Sequence, residues 1–162
     1  MKAGSLQSSE SFYRTMSSNE FEIWSVMSIN DYAEDLSENH FYSREKAEAE
    51  ASKSFKTALM EGADTKNNFF RTYEVEGVAA GYLWFSMDDK SAFLSDIMLL
   101  PAYQGKGIGR NFIRDFLNEL TGQGVREVEL RVAPGNERAL KLYKDLGFRI
   151  TGFDMSLLLD DR

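Results

Sequence analysis

The chain has 162 residues, of which 43% are hydrophobic and 28% charged, a composition typical of a globular domain with an ordinary core. It contains no cysteine and a single histidine, which excludes disulfides, thiol chemistry and metal clusters built from cysteine or histidine. A formal net charge of −7 argues against general nucleic-acid binding. The negative electrostatic potential of such a chain favours a cationic small substrate.

No stretch of the sequence approaches the ~20 apolar residues of a membrane helix, and the first residues lack the apolar run of a secretory signal. We therefore expect a soluble, cytoplasmic protein with neither membrane nor nucleic-acid partners. Residues 1–8 are rich in serine and are predicted to be a flexible leader. Residues 9–162 are predicted to form one domain, because no repeat or linker divides them.

The first part of the chain predicts one strand followed by two helices. The strand is expected over Ser8–Thr15. Ser17 and Glu20 then form a capping-box signature, and apolar residues recur at helical spacing behind it. A second helix is expected to start near Ser43 and to end at Gly62, because its alanine, phenylalanine and leucine residues form one stripe among charged residues.

The middle of the chain predicts an antiparallel meander of three strands. The strands are expected over Asn68–Val75, Val78–Met87 and Ser91–Leu100, where β-branched and aromatic residues are frequent. Two short polar segments, Glu76-Gly77 and Asp88-Asp89-Lys90, provide the tight turns between them.

The loop after Pro101 has a glycine at every second position, and an amphipathic helix follows it directly. The glycines are Gly105, Gly107 and Gly109, with the cations Lys106 and Arg110 beside them. Unpaired N–H groups and the helix dipole favour phosphate oxygens at such a helix start. The spacing matches neither the P-loop nor the dinucleotide fingerprint. The loop is therefore either an anion cradle or a tight strand-to-helix turn.

The last third of the chain predicts a strand, a helix and the final strands. Arg126–Val132 alternates polar and apolar residues, as a strand with one wetter face does. Asn136 is a good N-cap for the next helix, and Gly147 stands where a C-cap glycine belongs. Phe148–Leu159 is expected to supply the last strands.

Three segments resemble the GCN5-related N-acetyltransferase (GNAT) superfamily. Gln104–Gly109 fits its Q/R-x-x-G-x-G/A motif, and Asp96–Pro101 precedes that motif where the pantetheine-binding strand of the family lies. Asn136–Phe148 resembles the second cofactor-side signature. The resemblance is strong over residues 91–153. It implies an α/β fold with a mixed, mostly antiparallel, bent sheet of six or seven strands flanked by about four helices.

The resemblance implies that acetyl-CoA is the acyl donor, that CoA is the product, and that no metal takes part. The pyrophosphate would bind the N–H groups of the glycine loop, and the pantetheine arm would pair with the strand before it. The cofactor-binding residues that it implies are Met98, Leu99, Leu100, Gln104, Gly105, Lys106, Gly107, Ile108, Gly109, Arg110, Asn136, Ala139 and Tyr143.

The implied reaction is acetyl transfer to a primary amine by direct attack in a ternary complex. The absence of cysteine excludes an acyl-cysteine intermediate. Tyr143 stands at the position of the family's general acid, two helical turns after Asn136 on one helix face. Ser95 occupies the place where many relatives carry a glutamate base. We therefore consider Asp96 the first candidate for the base, although a regular strand would direct its side chain to the face opposite Ser95. Glu129 and a water relay are the alternatives.

The sequence leaves the acceptor open between a small-molecule amine and an amine of a protein or peptide. Aromatic residues of the first helices and middle strands provide either core packing or an alkylamine pocket. They are Trp24, Tyr32, Phe41, Tyr42, Tyr73, Tyr82 and Trp84. The alternative function is a non-catalytic acyl-CoA-binding or regulatory module. Homodimerisation through a sheet edge or the last strands is a further hypothesis.

Overall fold

A computed structural model describes residues 10–159, so the predicted leader lies outside the described residues. The chain forms strands and helices in the order β1-α1-α2-β2-β3-β4-α3-β5-α4. The strands are β1 (Ser11–Thr15), β2 (Asn68–Val75), β3 (Val78–Asp88), β4 (Ser91–Leu99) and β5 (Glu127–Leu130). The helices are α1 (Ser18–Asn39), α2 (Arg44–Ala58), α3 (Ile108–Gly122) and α4 (Glu137–Asp145). Single 3₁₀ turns occupy Gly62–Asp64 and Pro101–Tyr103.

The described chain divides into two compact units. The first unit contains the residues up to Glu22 together with Ala63–Leu130, and it holds the whole sheet and α3. The second unit contains Ile23–Gly62 and the residues from Arg131 onwards, and it holds most of α1, with α2 and α4. None of the helices in the described part is long and apolar enough to cross a membrane.

The sheet of the first unit has five strands in the order β1-β2-β3-β4-β5. The first three pairs are antiparallel, and β4 and β5 run parallel. The expectation of six or seven strands is wrong for the described residues, because the segment after Phe148 forms no strand. That segment alternates apolar and polar residues, but its Phe153, Met155 and Leu157 side chains are exposed. Alternation defines two faces, whereas a strand also needs a paired edge.

Helix α3 covers one face of the sheet, which we call the α3 face. Phe112 stacks on Tyr73 at a ring-centroid distance of 5.0 Å, and Phe116 contacts Phe85 at 5.0 Å. These phenylalanines are fully buried on the apolar stripe of the helix. The predicted amphipathic helix is therefore confirmed, and its apolar stripe anchors it to the sheet.

The second unit has its own apolar cluster between α1 and α2. Ala33 and Leu36 of α1 pack with Ala47 and Ala51 of α2, and all four side chains are buried. Trp24 is fully buried and contacts the ring of Phe55 at 5.7 Å. The two predicted helices are thus both present, and a short connection joins them.

Candidate functional site

A β-bulge in β4 decides which face of the sheet carries Asp96. Trp84 lies opposite Asp96 and Phe85 opposite Leu94, so Ser95 has no partner on β3. Phe85 lies on the α3 face, since it contacts Phe116. Cross-strand partners share a face, so Leu94 lies on the α3 face and Asp96 lies with Trp84 on the opposite face. We call it the open face only because α3 does not cover it.

The second candidate for the base lies on the same side. Glu129 of β5 pairs with Phe93 of β4, and Phe93 pairs with Ser86 of β3. Ser86 follows Phe85 and therefore lies on the open face, so Glu129 lies there too. Glu129 is exposed, whereas Asp96 is half-buried. The tertiary structure therefore brings both carboxylates that the sequence suggested as a base to the open face.

Strand β4 changes its neighbours at the point where its bulge lies. β5 pairs with β4 only as far as Leu94, opposite Leu130. Beyond this point, the described residues of β4 pair with β3 alone. The Leu100 N–H donates to the carbonyl oxygen of Ala80 at 2.8 Å, so the backbone groups of Leu100 face β3. Alternation along the strand then directs the backbone N–H and C=O of Leu99 away from β3.

The same alternation directs the backbone of Ile97 outwards, in register with Leu99. Of the three predicted pantetheine contacts, Leu99 thus presents its backbone at the outer edge of β4, whereas Met98 and Leu100 present theirs to β3. The Gln104 side chain donates from Nε2 to the Leu99 carbonyl oxygen at 3.0 Å. Gln104 therefore ties the glycine loop back to the strand that precedes it.

The glycine loop turns β4 into α3 through two left-handed residues. Gly105 has φ +76° and Gly107 has φ +78°, a region that side chains with a Cβ adopt only at an energetic cost. Gly107 is the N-cap of α3 and, within the described residues, no side chain caps this helix start. The first turn of a helix has N–H groups without an acceptor inside the helix, and in α3 this turn begins at Ile108. Left-handed glycines before a helix start without a side-chain cap are the local geometry that an anion cradle would need.

A partly buried ionic network fixes α3 on the sheet. Arg71 donates to both carboxylate oxygens of Glu119, at 3.0 and 2.7 Å, and the hydroxyl of Tyr13 donates to the same carboxylate. Burial alone would raise the pKa of Glu119, but the hydrogen bonds from Arg71 and Tyr13 outweigh it and lower that pKa. The ionised carboxylate holds the helix, and hence its N-terminus, in a defined position on β1 and β2.

Gly81 of β3 is a residue that sequence reasoning missed. A Cβ added at Gly81 would lie 2.5 Å from the carbonyl oxygen of Met98, 2.9 Å from Leu99 Cδ2 and 3.2 Å from Phe112 Cε2. The absence of a side chain therefore lets β3, β4 and α3 converge where β4 has left β5. An isolated glycine in a strand signals such a close approach in general, but not which backbone approaches it.

The second unit contains α4 with three other predicted site residues, Asn136, Ala139 and Tyr143. The Asn136 Oδ1 accepts the Ala139 N–H at 3.2 Å, so Asn136 caps the helix as its sequence position predicts. Tyr143 is buried and contacts the Phe148 ring edge-on at 5.6 Å. The Phe148 N–H donates to the Tyr143 carbonyl oxygen at 2.9 Å, which fixes the chain just after α4.

Comparison with protein families gives a match to the acetyltransferase (GNAT) family over residues 29–148, more than half of the chain. The chain belongs to the GNAT acetyltransferase family. As a GNAT protein it is an acyl-CoA-dependent N-acetyltransferase. The resemblance stated from the motifs of β4, the glycine loop and α4 is confirmed.

Among its GNAT relatives is YdgE of Bacillus subtilis (strain 168), an uncharacterised N-acetyltransferase. It is 25% identical over 145 residues, which cover 86% of this chain and 92% of YdgE. The crystal structure of YycN from Bacillus subtilis matches with a TM-score of 0.86 and 25% identity, over 93% of this chain and 99% of YycN. PaiA N-acetyltransferase from Thermoplasma acidophilum, in complex with coenzyme A, has a TM-score of 0.68 at 17% identity, over 90% and 93% of the two chains, a likeness of fold alone.

Proposed function

We propose that the chain transfers an acetyl group from acetyl-CoA to a primary amine by direct attack in a ternary complex. The observation that carries the proposal is the course of β4. This strand leaves β5 after Leu94, presents the backbone of Ile97 and Leu99 at its outer edge, and runs into a helix start capped only by Gly107.

The outer edge of β4 and the glycine loop fit two different parts of CoA. A peptide-like pantetheine arm needs backbone partners in an extended strand, which Ile97 and Leu99 offer. A pyrophosphate needs several N–H donors, which the start of α3 offers without requiring a basic surface. This division supports the binding of an anionic donor by a chain whose net charge is −7. Lys106 and Arg110 add positive charge next to the loop.

Residues of the open face are proposed to prepare the acceptor. An amine is mostly protonated at neutral pH, so it must lose a proton before its lone pair can attack a carbonyl carbon. Asp96 is proposed to accept this proton, directly or through water, with Glu129 as the alternative acceptor. The bulge at Ser95 supports Asp96, because it moves the carboxylate to the side that α3 does not cover.

Tyr143 is proposed to donate a proton to the departing sulfur. When bound, acetyl-CoA supplies an acetyl group activated as a thioester. As the new C–N bond forms and the C–S bond breaks, the phenol hydroxyl of Tyr143 protonates the thiolate. An ordinary phenol, with a pKa near ~10, is protonated at neutral pH and can act as this acid. The Tyr143 phenolate then takes a proton from solvent, which restores the neutral phenol for the next turnover.

Steady-state CoA release with acetyl-CoA and a panel of amines and peptides tests the proposal. We expect Tyr143→Phe to lower turnover by about a hundredfold or more while the Kd for CoA changes little. Val26→Ala, at an exposed residue of α1, is the control and should turn over normally. Equal turnover by wild type and Tyr143→Phe would remove Tyr143 from the acid role. Tight CoA binding with no turnover on any acceptor would favour the non-catalytic module instead.

A further inference from the structure

The open face carries a tyrosine, Tyr82 of β3, beside the part of β4 that pairs with β3 alone. Tyr82 lies opposite Thr72 of β2 and opposite Met98 of β4. It stands two residues before Trp84, and alternate residues of a strand share a face, so its side chain lies on the open face. Because β5 pairs with β4 only as far as Leu94, Met98 lies beyond the end of that pairing. Tyr82 is therefore one strand away from the edge that is proposed to hold the pantetheine arm.

The Tyr82 side chain is buried, but its hydroxyl oxygen remains accessible. The residue is only 4% exposed. Within residues 10–159, no protein group forms a hydrogen bond with this hydroxyl. In the same part of the chain, every fully buried side-chain nitrogen or oxygen has a hydrogen-bond partner, so solvent must reach the Tyr82 oxygen. A ligand that approaches the open face can therefore contact it.

The polar neighbours of Tyr82 form hydrogen bonds with one another instead. The Thr72 hydroxyl donates to Glu20 Oε1 at 3.2 Å. Arg14 lies opposite Thr72 on β1 and donates to the carboxylates of Glu20 and Glu74. The Tyr82 hydroxyl is outside this network. Since buried side chains rarely keep a polar group that the protein does not use, the hydroxyl of Tyr82 is suited to contact a ligand.

The electrostatic potential at the hydroxyl decides which kind of group it can bind. Burial raises the pKa of Tyr82, and the charge of Glu20 raises this pKa further by more than the charge of Arg14 lowers it. The phenol is therefore neutral at physiological pH, and the potential at its oxygen is negative. A negative potential disfavours an oxyanion and favours an N–H donor. The lone pairs of a neutral phenol oxygen can accept such an N–H group.

We infer that the Tyr82 hydroxyl binds the amine nitrogen of the acceptor by accepting a hydrogen bond from one of its N–H groups. This inference rests on the proposed function and names a substrate contact of the same site. After the ammonium has lost a proton, its nitrogen has two N–H groups and one lone pair. Tyr82 holds one N–H group while the lone pair attacks the thioester carbon. The other N–H group supplies the proton that leaves after the C–N bond has formed, so Tyr82 neither gains nor loses a proton.

This contact gives a physical reason for selectivity towards primary amines. A neutral primary amine has two N–H groups, so it can keep its hydrogen bond to Tyr82 while it loses a proton. A neutral secondary amine has one N–H group, which must leave when the amide forms. A secondary amine therefore loses the Tyr82 contact during the reaction, and its turnover should depend less on the hydroxyl.

The test compares Tyr82→Phe with the wild type, using n-butylamine and N-methylbutylamine at saturating acetyl-CoA. Tyr82→Phe should raise the KM for n-butylamine about three- to tenfold, as the loss of one hydrogen bond does. The preference for n-butylamine over N-methylbutylamine, measured as the ratio of their kcat/KM values, should fall severalfold in the variant. The Kd for CoA should not change. If the wild type does not turn over n-butylamine, the amine with the highest kcat/KM in the panel and its N-methyl derivative replace this pair.

Thermal unfolding separates substrate binding from a structural role of the hydroxyl. Tyr82→Phe removes no hydrogen bond within residues 10–159, so its melting temperature should be unchanged. Tyr13→Phe is the comparison for stability, because the Tyr13 hydroxyl donates to Glu119 and its loss should lower the melting temperature. Phe12→Ala, at an exposed residue of β1 on the open face, is the control for activity and should keep the KM for n-butylamine.

The outcomes separate this inference from the proposed function. An unchanged KM for n-butylamine in Tyr82→Phe overturns the contact alone, and a lower kcat at an unchanged KM would assign the hydroxyl to the oxyanion instead. A lower melting temperature with equal rises in the KM for n-butylamine and for acetyl-CoA would show a structural role and also overturn the contact. CoA binding without turnover of any amine or peptide overturns the proposed function, and the contact with it.

Discussion

Two residues determine the course of the β4 backbone: Ser95 within β4 and Gly81 on the neighbouring strand β3. Ser95 is the residue without a partner in the β3–β4 ladder, and it shifts Asp96 to the open face. Gly81 provides room for the Met98 carbonyl oxygen a few residues later. The course of β4 therefore depends on one extra residue, Ser95, and on the missing side chain of Gly81.

Gly81→Ala should destabilise the protein and weaken acetyl-CoA binding together. The new Cβ would meet backbone, which cannot rotate away, so β4 must shift by several tenths of an ångström. We expect a loss of about 1–3 kcal/mol in the free energy of unfolding. The KM for acetyl-CoA should rise several-fold, because the displaced segment includes the proposed pantetheine contacts at Ile97 and Leu99.

The matched control for this substitution is Gly122→Ala at the end of α3, where a Cβ would meet nothing within 4 Å. Denaturant unfolding and acetyl-CoA kinetics on both variants provide the comparison. A destabilised Gly81→Ala protein with an unchanged KM for acetyl-CoA would show that Gly81 serves folding alone.

At the scale of the elements, Glu20 connects the start of α1 to the sheet. The predicted capping box is confirmed, since the Ser17 Oγ accepts the Glu20 N–H at 3.2 Å and the Glu20 Oε1 accepts the Ser17 N–H at 2.9 Å. The same carboxylate also accepts two hydrogen bonds from Arg14 of β1, at 2.8 and 2.9 Å, and one from Thr72 of β2 at 3.2 Å. One side chain therefore joins α1, β1 and β2.

This connection predicts a pH-dependent stability. The Arg14 guanidinium, with hydrogen bonds from Ser17, holds the pKa of Glu20 at about 2. An unfolded chain restores a pKa near ~4.3. Because the folded pKa is the lower one, the stabilisation is complete above the unfolded pKa and is lost as pH falls towards 2. Glu20→Gln should cost about 1–2 kcal/mol at pH 7 and much less near pH 2.

Thermal or urea unfolding between pH 2 and pH 7 measures this difference. The control is Glu48→Gln, which removes the exposed Arg44–Glu48 pair within α2 and should change stability little at any pH. If Glu20→Gln lost the same stability at pH 2 as at pH 7, the ion pair with Arg14 would not be the source of its effect.

At the scale of the whole molecule, the net charge of −7 acts differently on the two substrates of the proposed reaction. An acidic protein attracts a cationic amine and repels an anionic donor at long range, and salt screens both effects. Raising the ionic strength from about 20 to 300 mM should increase the KM for an alkylamine about two- to threefold. The KM for acetyl-CoA should stay constant or fall.

Steady-state kinetics in NaCl and in potassium chloride check this prediction, since agreement between the salts separates screening from specific ion binding. A KM for the amine that falls with salt would show that the field of the whole chain does not draw in the acceptor. Short-range contacts in the proposed acceptor site would then have to account for recognition by themselves.

Local sequence signals predicted the parts of the site whose partners are close in the chain. The left-handed residues Gly105 and Gly107, the Asn136 cap and the Ser17 capping box each depend on atoms a few residues away. The pattern of the apolar residues likewise predicted β2, β3 and α3 with close boundaries. Signals of this kind are present in the sequence because backbone conformation and helix capping are decided within one turn or one strand end.

The sequence by itself thus determined the family, the order of the elements through α4 and the glycine loop at the start of α3. Only the tertiary structure decided the face of Asp96, the approach of Gly81 to Met98, the bond between Trp84 and Asn68, and the absence of strands in the described residues after Phe148. Strand register, bulges and cross-strand contacts join residues that are far apart in the chain. The energy of a cross-strand contact depends on which residue lies opposite, and no local sequence pattern specifies that residue.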